Sequence, residues 1–414
     1  MIFCLSVDIR WLGNTQLELV SRREVNALSL KNYAYISPEM LKWARSETPF
    51  CDLADVAART QIDIEELLNW ESGQSLPSIT NAKKLAYLYD VPLACFYLSC
   101  PPARKPRPYV DRRTPAGIYG KSLSYNLWRE IRNTMFNREV AVELMGDDIK
   151  TFTTIPIVKA TDSVEVTAAA IRDFLGMKTS FLYKNEYGYN AYNYFRDIIE
   201  KKGIMVTQLV GIERDEIRAL SIYFDTMPII SINGKDWERS KVFSLFHEIA
   251  HLIRRSSSLC SIAFDEYDDA EEMICNSIAA ATLLPEAEFR RLSSKFFLVY
   301  NDWSNSCLAK LADSFGTSTS VVLRRLFSLS VIKPDYFYKR LSELKEEFEN
   351  SGAENKNAFC PDYYYKYLNK EGRLFPRVVL SAYSRGLLSY GEMCQTLNLS
   401  SAHIGNVEQA VMYS

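Results

Sequence analysis

The feature that most constrains this chain is a pair of histidines four residues apart, in His247-Glu248-Ile249-Ala250-His251. The chain has only three histidines in 414 residues, so such a pairing is improbable by chance. On an α-helix, residues i and i+4 lie on one face, one turn apart, and both imidazoles can reach a single ion. Glu248 lies about 100° round the helix from His247, where it can deprotonate a water instead of binding the metal. The spacing is typical of zinc peptidases.

The residues around this motif predict a buried helix. Apolar side chains recur on several sides of the segment from Phe243 to Ile253. Charged imidazoles would be costly there, whereas neutral imidazoles that bind a metal would not. The alternative interpretation is a helix without metal that carries two histidines and a salt-bridging Glu248.

A third metal ligand is expected on a second helix, because a catalytic zinc takes three protein ligands and leaves one position for water. The helical pattern of residues 268–284 ends before Pro285 and contains two consecutive acids. Glu272 is the first choice, because Asn276 follows one turn later and can hydrogen-bond the ligand or a histidine. Glu271 is the second choice. The alternative is that both acids are solvated charges in an acidic stretch.

A strand upstream of the motif is the predicted substrate-binding element. Residues 227–233 have a strand pattern and are followed by a turn at Asn233-Gly234. Peptidases of this kind hold an extended substrate against an edge strand of a sheet. We therefore expect the scissile peptide to lie antiparallel to this strand. The predicted strand contacts are Ile229, Ile230, Ser231 and Ile232.

Three segments resemble the signature of the ImmA/IrrE metallopeptidase family. The segments are residues 247–252, 272–280 and 283–285. Cys275 and Ile278 stand where the family usually has Ala and Phe, and both exchanges keep the position apolar. The family's Glu, four residues before an Asn, is retained as Glu272. The resemblance implies zinc-dependent endopeptidase activity, typically against a DNA-binding repressor.

A compact helical unit is predicted at residues 37–100, after an N-terminal extension at 1–36 that has no clear pattern. The predicted helices are Glu39–Glu47, Leu53–Arg59, Ile64–Ser72 and Ala82–Tyr89. Their apolar spacing, with a short turn at residues 60–63, resembles the helix-turn-helix domain of phage repressors. The resemblance implies a DNA-binding fold.

The charge of this unit argues against DNA reading. Residues 37–99 contain five basic and nine acidic side chains, and the helix expected to read DNA carries Glu65, Glu66 and Glu71 but no Lys or Arg. DNA recognition needs hydrogen-bond donors for base edges and positive charge for phosphates. DNA remains a possible partner, but the sequence favours a unit that contacts a protein or positions the peptidase.

The remaining chain predicts a mainly α protein with a small β-sheet (α+β). A linker and helical connector at 101–200 lead to a zincin-like metallopeptidase core at 201–290, a helical subdomain at 291–350 and a C-terminal region at 351–414. Two further strands are expected at residues 203–206 and 220–224. Arg324 and Arg325 lie on a helix-turn-helix-like pair in the subdomain, which we interpret as a packing element.

Cysteine usage and charge indicate the compartment and the kind of partner. The nine cysteines are scattered, odd in number and without a C-x-x-C, which favours reduced thiols in the cytoplasm. Cys260 and Cys275 are soft donors near the motif and are interpreted as buried thiols. The apolar run from Ile2 to Val7 is too short for a signal peptide or membrane span. A net charge of −2 gives no general attraction to nucleic acid or membranes.

These patterns together predict a Zn²⁺-dependent endopeptidase. The family resemblance implies that its substrate is a bacterial transcriptional repressor or related regulator in a stress, phage or mobile-element circuit. The alternative is a non-enzymatic helix-turn-helix regulator or antitoxin-like binding protein in which the metal is structural. No residue is predicted to bind an organic cofactor, and none is assigned to the oxyanion. His403, in the C-terminal region, is interpreted as structural or exposed.

Overall fold

The computed structural model describes part of the chain. The described residues are 32–50, 52–102, 110–111, 123–152, 154–159, 161–177, 191–255, 258–260, 270–300, 302–350 and 362–412. They are mainly helical with a small sheet, which confirms the predicted fold class. The chain divides into two compact units, Met1–Ala103 and Arg104–Ser414, and each is treated separately. Most of the predicted N-terminal extension lies outside the described residues, as do residues 104–108 of the linker.

The first unit is a small helical bundle. Its helices are α1 (Pro38–Ser46), α2 (Leu53–Thr60), α3 (Ile64–Ser72) and α4 (Ile79–Leu88), followed by a 3₁₀ turn at Leu93–Tyr97. Helix α4 begins three residues before the predicted start, because the Ser78 hydroxyl accepts the Asn81 backbone N–H at 3.2 Å and caps it. Glu71 of α3 is buried and accepts two hydrogen bonds from Arg45, whereas Glu65 and Glu66 are exposed.

The second unit contains a five-stranded sheet. Its strands are β1 (Val110–Asp111), β2 (Met205–Leu209), β3 (Ala219–Ile222), β4 (Ile229–Asn233) and β5 (Ser258–Cys260). The spatial order is β1-β5-β3-β4-β2. β3 is antiparallel to both of its neighbours, β4 and β5, whereas β2 is parallel to β4 and β1 is parallel to β5. Neither β1 nor β5 was predicted from the sequence.

The prediction of a substrate-binding edge strand is wrong. Strand β4, which contains Ile229, Ile230, Ser231 and Ile232, is bonded along its whole length to β2 on one side and over four residues to β3 on the other. Its backbone groups are therefore used within the sheet, and no extended peptide can add to them. The sheet edges in the described chain are β1 and β2.

Helices cover both faces of this sheet. They are α5 (Tyr125–Met145), α6 (Val164–Leu175), α7 (Ala191–Glu200), α8 (Glu238–Ile253), α9 (Ala270–Leu283), α10 (Glu286–Tyr300), α11 (Asn305–Phe315), α12 (Thr319–Ser328), α13 (Pro334–Asn350), α14 (Tyr363–Glu371), α15 (Leu374–Ser384), α16 (Tyr390–Thr396) and α17 (Ser401–Met412), with a 3₁₀ turn at Gly146–Thr151. Ile230 and Ile232 of β4 enter one hydrophobic core together with α6 to α13, whereas Ile229 enters a second core with α5 and the C-terminal helices. This alternation follows the two-residue repeat of a strand. None of the helices in the described part of the chain is long and apolar enough to cross a bilayer.

Two buried arginines hold the C-terminal end of α9. Arg172 of α6 donates a hydrogen bond to the Thr282 carbonyl at 2.7 Å, and Arg325 of α12 donates one to the Leu284 carbonyl at 2.9 Å. The last carbonyls of a helix have no partner within the helix and carry partial negative charge, so cations there are stabilising. Arg325 also pairs with Glu165 at 2.8 Å. Arg325 is thus a packing residue, as expected from the sequence.

The C-terminal region is attached to the sheet through a buried carboxylate. Glu200 of α7 accepts the backbone N–H groups of Arg373 and Leu374, at 3.0 and 3.2 Å, at the start of α15. Arg196, one turn earlier, donates to the carbonyls of Val206 in β2 and Leu368 in α14. These contacts bind the C-terminal helices to the edge strand β2 and satisfy backbone groups that would otherwise be buried without partners.

Candidate metal centre

Helix α8 carries the histidine pair and the intervening glutamate in its buried segment. His247, Glu248 and His251 are all 0% exposed. Phe243, Phe246, Ile249 and similar residues pack around them in the first core. Apolar residues on nearly every side of α8 bury the helix from Lys241 to Ile253, and the motif's polar side chains are buried with them.

Glu272 of α9 meets both histidines. Its Oε2 lies 3.1 Å from His247 Nε2, and its Oε1 lies 3.3 Å from His251 Nε2. The two Nε2 atoms are themselves 3.1 Å apart. The residue ranked first from the sequence is therefore the acid that the fold brings to the histidine pair.

The spacing of these three donors can be tested against a zinc site. Zinc–nitrogen and zinc–oxygen bonds of about 2.0–2.1 Å in a tetrahedron place neighbouring donor atoms about 3.3 Å apart. The observed separations between His247, His251 and Glu272 are 3.1 to 3.3 Å. Two imidazole nitrogens and one carboxylate are also a typical ligand set for a catalytic zinc. The residues present therefore fit a zinc ion held by three protein ligands.

The electrostatics of the cluster follow from burial and mutual contact. Burial lowers the pKa of His247, but its hydrogen bond to Glu272, the charges of Glu248 and Glu272 and a contact with Asn276 more than offset this and raise the pKa above its ordinary value. Burial acts to raise the pKa of Glu272, yet hydrogen bonds from His247 and His251 lower it far below its usual range. Glu272 is thus an anion at neutral pH, as a metal ligand must be.

Glu248 lies beside the histidines without entering the cluster of three donors. Burial raises the pKa of its carboxyl group, and the charges of His247 and His251 and the neighbouring Ser221 side chain only partly offset that rise. A carboxylate with a raised pKa is a better proton acceptor, because a general base works best near the operating pH. Ser221 of β3 was missed in the sequence analysis, since a serine in a strand pattern gives no signal.

Glu271, the second-choice ligand, is held by another partner. Its two carboxylate oxygens accept hydrogen bonds from Arg254 Nε and Nη2, at 2.6 and 2.7 Å. Glu271 also belongs to a second group of possible metal donors, with His251 and Cys275. The salt bridge to Arg254 neutralises the carboxylate, so this second group is a poorer match to a cation than the one around Glu272.

The remaining candidates occupy different places. Cys275 is fully buried, and its Sγ lies 3.5 Å from His251 Nδ1, on the opposite side of the ring from Glu272. Burial and the nearby carboxylates raise the pKa of its thiol, so it remains protonated. The side chain of Cys260 lies outside the described residues. His403 packs against Tyr363, with ring centroids 4.5 Å apart, far from α8 in the sequence.

Comparison with known proteins bears on the region that contains this site. No curated protein and no solved structure gave a significant match to the chain. Residues 200–327, which run from the end of α7 to α12, match the family model of the IrrE N-terminal-like domain (Peptidase_M78). This match supports placing that region in the ImmA/IrrE family and supports a metallopeptidase role for it.

Proposed function

We propose that this protein is a zinc-dependent endopeptidase that cleaves a protein regulator. The single observation that carries the proposal is the convergence of His247, His251 and Glu272 on one point, at separations that suit tetrahedral zinc, with Glu248 beside them. The match of residues 200–327 to the IrrE N-terminal-like domain supports the same reading.

The proposed chemistry assigns one task to each residue. His247, His251 and Glu272 would hold the zinc, which would supply Lewis-acid chemistry towards a water and the scissile carbonyl. Glu248 accepts the proton of the attacking water and passes it to the leaving amine. Complete burial of His247, Glu248 and His251 strengthens the charge interactions among them, because the local dielectric is low. Asn276 is proposed to fix the orientation of the His247 imidazole through a hydrogen bond.

The proposed substrate is a DNA-binding repressor or related regulator, as the family resemblance implies. The helix-turn-helix-like unit at residues 37–100 is proposed to present the substrate instead of reading DNA. In support, Glu65 and Glu66 are exposed on α3, whereas the positive charge of Arg45 is engaged in a salt bridge with Glu71. An acidic surface repels phosphates but attracts the basic surface of a DNA-binding protein.

The proposal is tested by metal content and by cleavage, measured separately. Zinc is quantified by mass spectrometry in the wild type, in His247→Ala and in His403→Ala. The last is a matched control, since His403 is the one histidine outside the cluster. Stoichiometric zinc in the wild type and in His403→Ala, with loss in His247→Ala, is the expected result.

Cleavage is measured on any purified DNA-binding regulator whose gene lies beside this one, and by comparing new protein N-termini in cells that produce the wild type or Glu248→Gln. Glu248→Gln keeps the shape of the side chain but removes its basicity. New N-termini that depend on Glu248 but belong to another protein would show that the proposed substrate is wrong and that the proposed peptidase activity is right. Cleavage that survives Glu248→Gln, or zinc with no cleavage of any protein, would refute the peptidase and favour a regulator with a structural metal.

A further inference from the structure

A chain of side chains leads away from the metal cluster on the far side of His251. Arg254, at the end of α8, donates two hydrogen bonds to Glu271, at 2.6 and 2.7 Å. The Cys275 Sγ lies 4.0 Å from Glu271 Oε1 and 3.5 Å from His251 Nδ1. Cys275 thus lies between the imidazole of His251 and the salt bridge that Arg254 forms with Glu271.

The direction of the hydrogen bonds along this chain follows from the chemistry of its groups. Arginine can only donate, and an ionised carboxylate can only accept. Glu271, held at both oxygens by Arg254, therefore takes the proton of the Cys275 thiol. The sulfur then faces His251 with its lone pairs and can only accept from Nδ1. With a metal on Nε2, this order places the His251 proton on Nδ1, where the Cys275 sulfur accepts its hydrogen bond.

The nitrogen that would bind a metal, Nε2, is on the side of the ring where the metal cluster lies, and in the structure it contacts Glu272. His251 Nε2 is 3.3 Å from Glu272 Oε1 and 3.1 Å from His247 Nε2. A metal-binding histidine must present an unprotonated nitrogen, and the partner of its other nitrogen fixes both the tautomer and the ring orientation. In many sites that partner is a carboxylate or a carbonyl group, and here a thiol stands in that position.

We propose that Cys275 is a positioning residue, which together with Glu271 and Arg254 holds His251 in the tautomer that binds metal. The inference rests on the proposed function only in taking His251 as a ligand. The inference also assigns a role to Glu271, the acid adjacent to Glu272 on α9, which is to accept the hydrogen bond of the Cys275 thiol. Glu272 faces the cluster, and Glu271 supports it from the other side of the ring.

The experiment compares Cys275→Ala, Cys275→Ser and Cys307→Ala in the full chain. Cys307 is a matched control, because it is an equally buried thiol that lies on α11, outside the site. Serine can donate to Glu271 and accept from Nδ1 as the thiol does, whereas alanine can do neither. The probe is zinc alone, and its dissociation constant is measured by competition with a chelator.

Zinc affinity is expected to fall about tenfold in Cys275→Ala, the lower end of the effect of such supporting residues, because sulfur is a weak acceptor. Cys275→Ser is expected to keep most of the affinity, and Cys307→Ala all of it. Equal affinity in the alanine variant and the wild type would overturn the proposal. A loss in alanine that serine does not restore would indicate packing alone and would also overturn it.

A second readout does not depend on zinc. With only three histidines in the chain, ¹⁵N-histidine spectra of the metal-free protein can be assigned by substitution. The Nδ1-protonated form of His251 competes with the form whose Nε2 donates to Glu272, and its share is expected to be larger in the wild type and Cys275→Ser than in Cys275→Ala. Unchanged tautomers would refute the inference, as would a second zinc equivalent bound through Cys275. A wild type that binds no zinc would instead refute the proposed function.

Discussion

Replacement of Gly372 by alanine is expected to detach the C-terminal helices from the sheet. Gly372 lies between α14 and α15 with φ +79° and ψ −172°, a region that essentially only glycine adopts. A Cβ at this position would lie 2.3 Å from Glu200 Oε1 and 2.5 Å from the Val206 carbonyl oxygen. The first atom belongs to a fully buried carboxylate, and the second is backbone of β2, so neither can move away cheaply.

The size of the effect can be worked out by comparison with Gly386. That glycine also has a positive φ, +74°, but a Cβ added there meets no atom within 4 Å. Gly386→Ala is expected to cost about 1 kcal/mol, since left-handed strain of about 1–2 kcal/mol is partly offset by the reduced entropy of the unfolded chain. Gly372→Ala adds overpacking of about 1–3 kcal/mol and the more strained backbone region, for a total of about 3–5 kcal/mol.

The assay is unfolding of the full chain in urea, monitored by hydrogen exchange. Exchange is measured for peptides from β2 and α15, so that unfolding of the N-terminal unit does not contribute to the signal. Gly372→Ala is expected to lower the free energy of opening of both peptides by at least about 2 kcal/mol more than Gly386→Ala does, roughly a thirtyfold difference in the equilibrium constant. Equal losses in the two variants would show that the clash with Glu200 and Val206 does not exist.

Further predictions concern the ligand, the anchor of α9 and a buried acid. Zinc affinity is expected to fall about 100- to 1,000-fold in Glu272→Gln, because each ligand supplies about 3–4 kcal/mol of the binding free energy, and chelator competition measures this loss. Arg325→Met is expected to lower the stability of the second unit by about 3 kcal/mol in urea unfolding, since it leaves the Leu284 carbonyl buried without its donor and Glu165 without its partner. Burial raises the pKa of Asp236, so the folded state favours its protonated form, and stability is lost as pH rises from the unfolded pKa through the folded one. Asp236→Asn is expected to flatten that fall, which denaturation at several pH values between about 4 and 7 would detect; an unchanged pH profile would contradict this assignment.

The ligand-bearing elements were predictable because their signals are local. The spacing of His247 and His251 determines that both lie on one helix face, and a helix pattern around an acid needs no long-range information. Glu272 could be ranked above Glu271 because Asn276 follows it by one turn. The folded chain brings that acid within 3.3 Å of both histidines.

The sheet was less predictable because strand pairing is not local. The pattern at residues 227–233 identifies a strand but does not say which strands lie beside it, and so β4 was wrongly placed at an edge. Strand β5 has only three residues and β1 only two, too few for a two-residue alternation to appear. The position of Ser221 beside Glu248 depends on this same tertiary arrangement, as does the salt bridge between Arg254 and Glu271. No spacing in the sequence predicts either contact.

The geometry of the candidate centre depends on residues that the motif does not contain. Helix α8 is fixed by burial on all sides, but α9 contributes Glu272 from its first turn, where a helix is held least firmly by its own hydrogen bonds. Its far end is fixed by Arg172 and Arg325, which come from α6 and α12. A rigid helix transmits that restraint along its length, so a small rotation at the C-terminal end would displace the Glu272 carboxylate from the 3.1–3.3 Å positions that suit a metal. Helix α12 therefore contributes to the geometry of the candidate centre, since without it the helix that carries Glu272 would lose the hydrogen bond from Arg325.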